Sequence, residues 1–504
     1  MSDLLSFLKT KQPYKQIIKT QLSERVYGII GGSKMKTLLT RWIVVFLAFG
    51  LIAAACGNDD DSDTAQGSDA AQEEPAAQGS DAAQEEPAAQ GSDAAPEEPA
   101  AQGSDADPEE EVTITIESWR SDDAAIWDDQ IIPAFEAQFP NINVEFTPTV
   151  PTEYNAALDT RLAGGTAGDL ITCRPFDASL ALYERGDLAP LTDLPGIENF
   201  SSVAKSAWIT DDGSTPFCVP MAAVIHGFIY NRDAFDELGL SEPDTEEEFF
   251  ELLQAIKDDG SYVPLAMGTN DQWEAATMGF QNIGPNYWRG EEGRLALLDG
   301  TGKLTDQAYV DTLAALKRWS EYLPNGASAV TYTDSQNLFT LGNAAVYPAG
   351  SWEITGFNEN ADFEMGAFYP PPPAGQATCY ISDHTDIGLG MNAASDEPEA
   401  ARTFLTWVAS TEFAGIFANA LPGFFSLQST PVDLADPLAQ EFASWRNECE
   451  STIRNSYQIL SRGEPNLENE LWAVSVDMLT GGGDPAEGAR RLQDGLDSWY
   501  TPAS

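Results

Sequence analysis

The sequence predicts an α/β fold built as two lobes. Strand-like alternation over residues 112–116 and 142–146 brackets a helical pattern over 126–139, the strand–helix–strand order of a parallel α/β unit. The chain has 504 residues, more than one hydrophobic core usually serves. The stretch 217–235, FCVPMAAVIHGFIYNRDAF, holds two apolar runs joined by small residues with no turn cluster between them. A segment crossing between two bodies has that character. Pro220 marks the first run as an edge strand or one leaving its sheet, and Gly227 admits backbone angles that other residues avoid. The plainer alternative is one long buried strand with no hinge.

The N-terminal part carries an export pattern. Residues 35–41 make a basic start, residues 42–55 are an unbroken run of 14 apolar or small residues, and Cys56 follows. As a helix that run spans ~21 Å, short of the ~30 Å hydrocarbon core, and so suits a signal-peptide core rather than a permanent span. Ala53-Ala54-Ala55-Cys56 resembles the lipobox of bacterial lipoproteins, with Ala53 where leucine is usual. That resemblance implies lipid attachment at Cys56. Residues 1–34 are an upstream extension, with Met35 as an alternative start. Residues 1–55 are thus assigned to a signal peptide with its extension.

Between Gly57 and Glu111 there are 18 acidic residues and no Lys or Arg. A 12-residue unit of the form GSDAAQEEPAAQ starts at Gly67, Gly79 and Gly91, with a partial copy at Gly103. No unit has a core residue, so residues 56–111 are expected to be a disordered acidic tether, not a stacked repeat. As a flexible coil it would span ~40 Å.

Eight of the 26 basic residues precede Trp42 and two of the 80 acidic residues precede Cys56. The remainder holds 18 basic against 78 acidic residues, a balance of −60. Such a surface repels nucleic-acid phosphate and anionic headgroups, which argues against a nucleic-acid function. No CxxC metal spacing occurs among the five cysteines. With Cys56 used separately, three pairings of the other four are open. Cys173 with Cys218 and Cys379 with Cys449 is the favoured one, and free buried thiols are the alternative.

The crossing stretch continues as Pro220, Tyr230-Asn231, Phe235, Gly239-Leu240, Pro243, Thr245 and Glu248. This order resembles the hinge signature of extracellular solute-binding proteins (family 1, carbohydrate-binding group) of bacterial ABC importers. Further matches are LAGGTAGDL at 162–170, LYERGDLAPL at 182–191, LFTLGNAAVYPAGSWE at 338–353 and LPGFF at 421–425. Gly168 stands where the family usually has proline. The resemblance runs from about Val112 to Tyr500. It implies a two-lobe periplasmic-binding-protein-like fold (type II) with several hinge crossings. It places lobe 1 at 112–224 with a return at 369–412, lobe 2 at 225–368, and a mainly lobe 2 helical part at 413–504.

Candidate contacts follow from position. In open α/β sheets ligands sit beyond the carboxyl ends of strands, which nominates Trp119, Asp122 and Asp123 after the first strand. Capping of the next helix is the alternative role for either aspartate. Arg174, at the end of a later strand, presents a planar fork of donors for hydroxyls, or pairs with Asp177. The resemblance adds Asn270 and Trp273 in a post-strand loop, Trp352 of the Gly-Ser-Trp motif as a sugar platform, and Phe424 as its completion. His226, inside the crossing, is a candidate contact or a packed polar residue.

No Gly-x-Ser-x-Gly elbow or His-Glu-x-x-His helix occurs, and the two histidines, His226 and His384, are far apart in sequence. The expectation is therefore a binder, with no catalytic residue, cofactor or metal. Its implied partners are a carbohydrate ligand and membrane permease subunits. It is expected to be a lipid-anchored monomer on the outer face of the cytoplasmic membrane. A secreted glycoside hydrolase, which needs two facing carboxylates, is the rival.

Overall fold

The computed structural model describes residues 111–502; the expected signal peptide, the Cys56 anchor and nearly all of the acidic tether lie outside them. Ten strands are β1 (Val112–Ser118), β2 (Ile142–Pro148), β3 (Leu170–Cys173), β4 (Val219–Asn231), β5 (Val263–Leu265), β6 (Ala344–Gly350), β7 (Met365–Phe368), β8 (Tyr380–Met391), β9 (Phe425–Ser426) and β10 (Glu450–Thr452). They form one sheet in the order β2-β1-β3-β8-β4-β6-β5, with β7 and β9 on β4 and β10 on β8. β2, β1 and β3 are parallel, as the alternating βαβ sequence predicts, whereas β8 runs antiparallel to β3 and β4 and parallel to β10.

β4 is the spine. The two strand-like pieces inferred from the sequence are one continuous strand of 13 residues, buried along its whole length. Its first half, Val219 to Ile225, pairs with β8, and its second half, from His226, pairs with β6 and β7. The partners change between Ile225 and His226. The strand therefore has no break, yet it does pass from one group of strands to another. Pro220 sits beside a register shift against β8, the kind of irregular position where a strand admits proline. Gly227 is required by close approach, because a Cβ there would meet the Trp445 ring at 2.5 Å.

Two cores pack against the sheet, and beyond the changeover β4 contributes to both of them. One gathers Ile114, Phe135, Trp208, Leu389, Phe404 and Phe417; the other gathers Phe228, Phe250, Leu316, Trp319, Leu471 and Leu492. On β6 the alternation of a strand sends Val346 to the second core and Tyr347 to the first. The helices Leu467–Leu479 and Pro485–Asp497 pack on the second core, while Phe413 and Phe442 of two preceding helices pack on the first.

The motif after β4 has a local cause. Asn231 caps the helix Arg232–Leu238 by accepting from the Ala234 N–H at 3.0 Å, and Gly239 closes it in the left-handed region at φ 66°. Tyr230 and Phe235 pack at 4.1 Å between ring centres. Thr245 and Glu248 form a capping box for the helix Glu246–Asp259. Both favoured disulfides are present, Cys173–Cys218 and Cys379–Cys449.

Candidate functional site

Three stretches singled out by the sequence meet at Ser351. Its hydroxyl accepts from the Ile225 N–H on β4 at 3.0 Å and donates to the Gly423 carbonyl at 2.5 Å. A Cβ at Gly423, whose φ is 101°, would strike the Ser351 carbonyl. Gly350 has a different reason to be glycine: a Cβ there would lie 1.9 Å from the Trp352 ring. The missing side chain lets the indole fold back over the end of β6. The crossing strand, the Gly-Ser-Trp turn and the Leu-Pro-Gly loop thus lock together and fix Trp352.

Trp352 borders a cavity of about 240 Å³. One wall is Arg120, Asp122 and Asp123, beyond the carboxyl end of β1. The other is Tyr332, Gln336, Asn337 and Thr340 from the helix Tyr332–Thr340, with Glu353, Glu359 and Asn360 beyond Trp352. Arg120 forms a bidentate pair with Asp123 at 2.6 and 2.8 Å and lies 5.0 Å over the Phe424 ring. A small void of about 10 Å³, at the lower limit for one water, also borders that pair.

A hydrogen-bond chain holds the indole from one side. Trp352 Nε1 donates to the Tyr332 hydroxyl at 3.0 Å, and that hydroxyl donates to Glu353 Oε1 at 2.6 Å. Gln336 donates to Glu353 Oε2 at 2.9 Å. Burial pushes the Glu353 carboxyl up, against the pull of the Tyr332 and Gln336 bonds. Behind it Glu274, fully buried, is pushed up to about 9 by burial and by the Asp271 charge. It is a neutral acid at pH 7.

The predicted contacts fall into groups. Asp122, Asp123 and Trp352 line the cavity. Phe424 is buried beneath Arg120. Trp119 is buried against Tyr154, 5.6 Å between ring centres, with the Arg174 guanidinium 4.5 Å above its ring. Arg174 donates to Asn155 Oδ1 at 3.0 Å, and it is Arg462 that pairs with Asp177. Trp273 meets Tyr332 edge to face at 4.9 Å. His226 is fully buried, edge-on to Trp352 at 5.3 Å. Asn270 is exposed and lines neither cavity.

Several groups escaped the sequence reading. Arg120 and Glu353 adjoin chosen residues and could have been taken with them. Tyr332, Gln336, Asp386 and Arg454 had no local signal. Asp386 on β8 has its carboxyl pushed up by burial, while Arg454, Arg174 and Arg120 pull it down. Among the described residues no cluster of His, Cys, Asp and Glu could hold a metal ion.

Residues 119–414 match the family model of the bacterial extracellular solute-binding proteins, and the chain belongs to that family. A multiple sugar-binding protein of Streptococcus mutans is 22% identical over 389 residues, covering 74% of this chain and 86% of that protein. An uncharacterised ABC-transporter extracellular-binding protein of Pyrococcus horikoshii is 25% identical over 285 residues, covering 55% and 64%. Among solved structures, a bacterial solute receptor described as preferring β-D-galactopyranose superposes with a TM-score of 0.67 at 18% identity, covering 78% of this chain and all of that one. A chitin oligosaccharide binding protein gives 0.65 at 19%, covering 77% and 98%. A binding protein in complex with raffinose gives 0.63 at 22%, covering 77% and 99%. The fold is the two-lobe type II solute-binding fold.

Proposed function

We propose that this solute-binding protein captures a carbohydrate in the cavity beside Trp352 and delivers it unchanged to the membrane permease of an ABC importer. The observation that carries this reading is the cavity's composition: one indole wall facing a rim of amides and acids. One face of a pyranose is largely C–H and its rim is hydroxyl. The indole covers the apolar face, at roughly 25 cal/mol per Å². Asp122, Gln336 and Asn337 orient the rim through directed hydrogen bonds. The saccharides named for the sugar-binding relative and the structural neighbours support the same class.

The lobes are divided at the Ile225–His226 changeover, and a ligand touching both walls favours the closed form by its extra affinity there. The protein is a monomer anchored through Cys56 on the outer face of the cytoplasmic membrane.

A thermal-shift screen with raffinose, galactose and a chitooligosaccharide tests the reading. A tight ligand raises the melting temperature by mass action, and chromatography of the mixture returns it intact. Cleavage of the saccharide would overturn the reading in favour of a hydrolase.

A further inference from the structure

The chain has two histidines, 158 positions apart, and they touch. His226 is the first β4 residue to pair with β6, and His384 lies on β8 opposite Val224. Their Nε2 atoms are 3.0 Å apart and both side chains are buried. His384 Nδ1 is 2.9 Å from the Thr385 carbonyl, an atom that only accepts. This fixes the tautomer: Nδ1 carries the proton and Nε2 the lone pair. That one lone pair is shared by two donors, the Arg454 Nε–H at 3.2 Å and a proton on His226 Nε2 at 3.0 Å. His226 then faces it with Nε2–H. Its own Nδ1 lies toward the Thr277 backbone but makes no bond of proper geometry.

We propose that His226 and His384 are positioning residues of the binding site, a relay that joins the Trp352 platform to the Arg454 guanidinium across the changeover of the spine strand. One end is the edge contact of His226 with Trp352. The other is Arg454, which also lies 5.2 Å over the Tyr457 ring and 3.8 Å from Glu468. Tyr457 packs on Phe176, just beyond β3, and on His384. The relay thus ties residues after β10 to those after β3 and β6. The ligand role of this constellation rests on the carbohydrate reading above.

The relay needs both imidazoles neutral. A proton on His384 Nε2 removes the acceptor of Arg454 and sets two cations together. The charged or titratable groups around the pair are Arg454, Glu468 beyond it, Asp386 two residues along β8, and Tyr457. Burial first, and then Arg454, hold both imidazoles well below the usual histidine range.

The test has two arms on the whole protein. In the first, ¹⁵N-histidine labelling gives two imidazole patterns. The expected result is opposite tautomers, Nδ1–H for His384 and Nε2–H for His226, unchanged from pH 7.5 to 5.5. Matching tautomers, or either ring titrating near 6.5, would overturn the relay. In the second, tryptophan fluorescence is titrated with raffinose, galactose and a chitooligosaccharide. His384→Leu loses about tenfold in affinity, as removal of one buried acceptor predicts. His384→Gln, which offers Arg454 a carbonyl oxygen, restores affinity to within about threefold. Equal losses in both variants would overturn positioning through Arg454. If no saccharide binds the wild-type protein, the carbohydrate reading fails, and the imidazole spectrum still decides the relay.

Discussion

On one flank of Trp352 burial drives two carboxyls up; on the other it drives two imidazoles down. Glu274 and Glu353 stand behind Tyr332, while His226 and His384 stand at the changeover of β4. The cause is the same on both sides. Burial penalises charge of either sign, so an acid is driven up and a base down. Trp352 is thus held between two buried polar networks, one ending in Glu353 and the other in Arg454, while Arg120 and Asp123 pair with each other beside it.

The largest effect is expected where covalent chemistry supports the imidazole flank. Cys379–Cys449 closes a span of 70 positions and holds β10 on β8, just before Arg454. Changing both cysteines to serine should cost about 4 kcal/mol by the loop-closure relation, measured as the shift of the denaturant midpoint. Retention of full stability would show that packing alone fixes that flank.

Next comes Trp352→Ala. Losing the indole face should weaken saccharide binding by about 2 kcal/mol, roughly thirtyfold, in calorimetric titration. The melting temperature should change less than for a core tryptophan such as Trp319.

The two flanks give opposite pH slopes. Glu274 has a raised value, so its stabilisation is complete below about 4.5 and is lost as pH rises toward about 9. Glu274→Gln should remove that decline, and a melting curve as steep as wild type between pH 7 and 9 would contradict it. The histidines have lowered values, so stability is lost as pH falls below about 6.5, by up to about 1.4 kcal/mol per pH unit for each ring. The double variant His226→Gln with His384→Gln should flatten the acid side only.

The smallest effect concerns the Arg462 contacts, which join Asp177 at 2.6 Å and Asp211 at 2.8 Å. Arg462 is one-third exposed, so Arg462→Ala should cost on the order of 1 kcal/mol, and less in high salt.

Legibility in the sequence tracked locality. The βαβ start, the signature from Tyr230 to Glu248 and the two cysteine pairs are readable because each depends on a short-range pattern or a short list of partners. β4 was seen as two pieces because Ala222, Ala223 and Gly227 look like a joint. Gly227 is small because the Trp445 ring packs close, while Ala222 and Ala223 lie at the register shifts against β8 where β9 also pairs. β8 carries no strand alternation in its first half, which starts at Tyr380. Its hidden half, Ser382 to Asp386, is polar because it carries His384 and Asp386 toward the site, and that polarity erased the strand signal. Tyr332 and Arg454 were invisible for a related reason. Their role exists only where the fold brings 120, 332, 352 and 454 together.

The most direct test is a crystal structure grown with the saccharide that gives the largest thermal shift. A sugar ring lying on the Trp352 indole at about 4 Å contact distance, with rim hydroxyls on Asp122 and the Gln336 helix, is the predicted result. A saccharide bound elsewhere, leaving the Trp352 cavity unfilled, would contradict it.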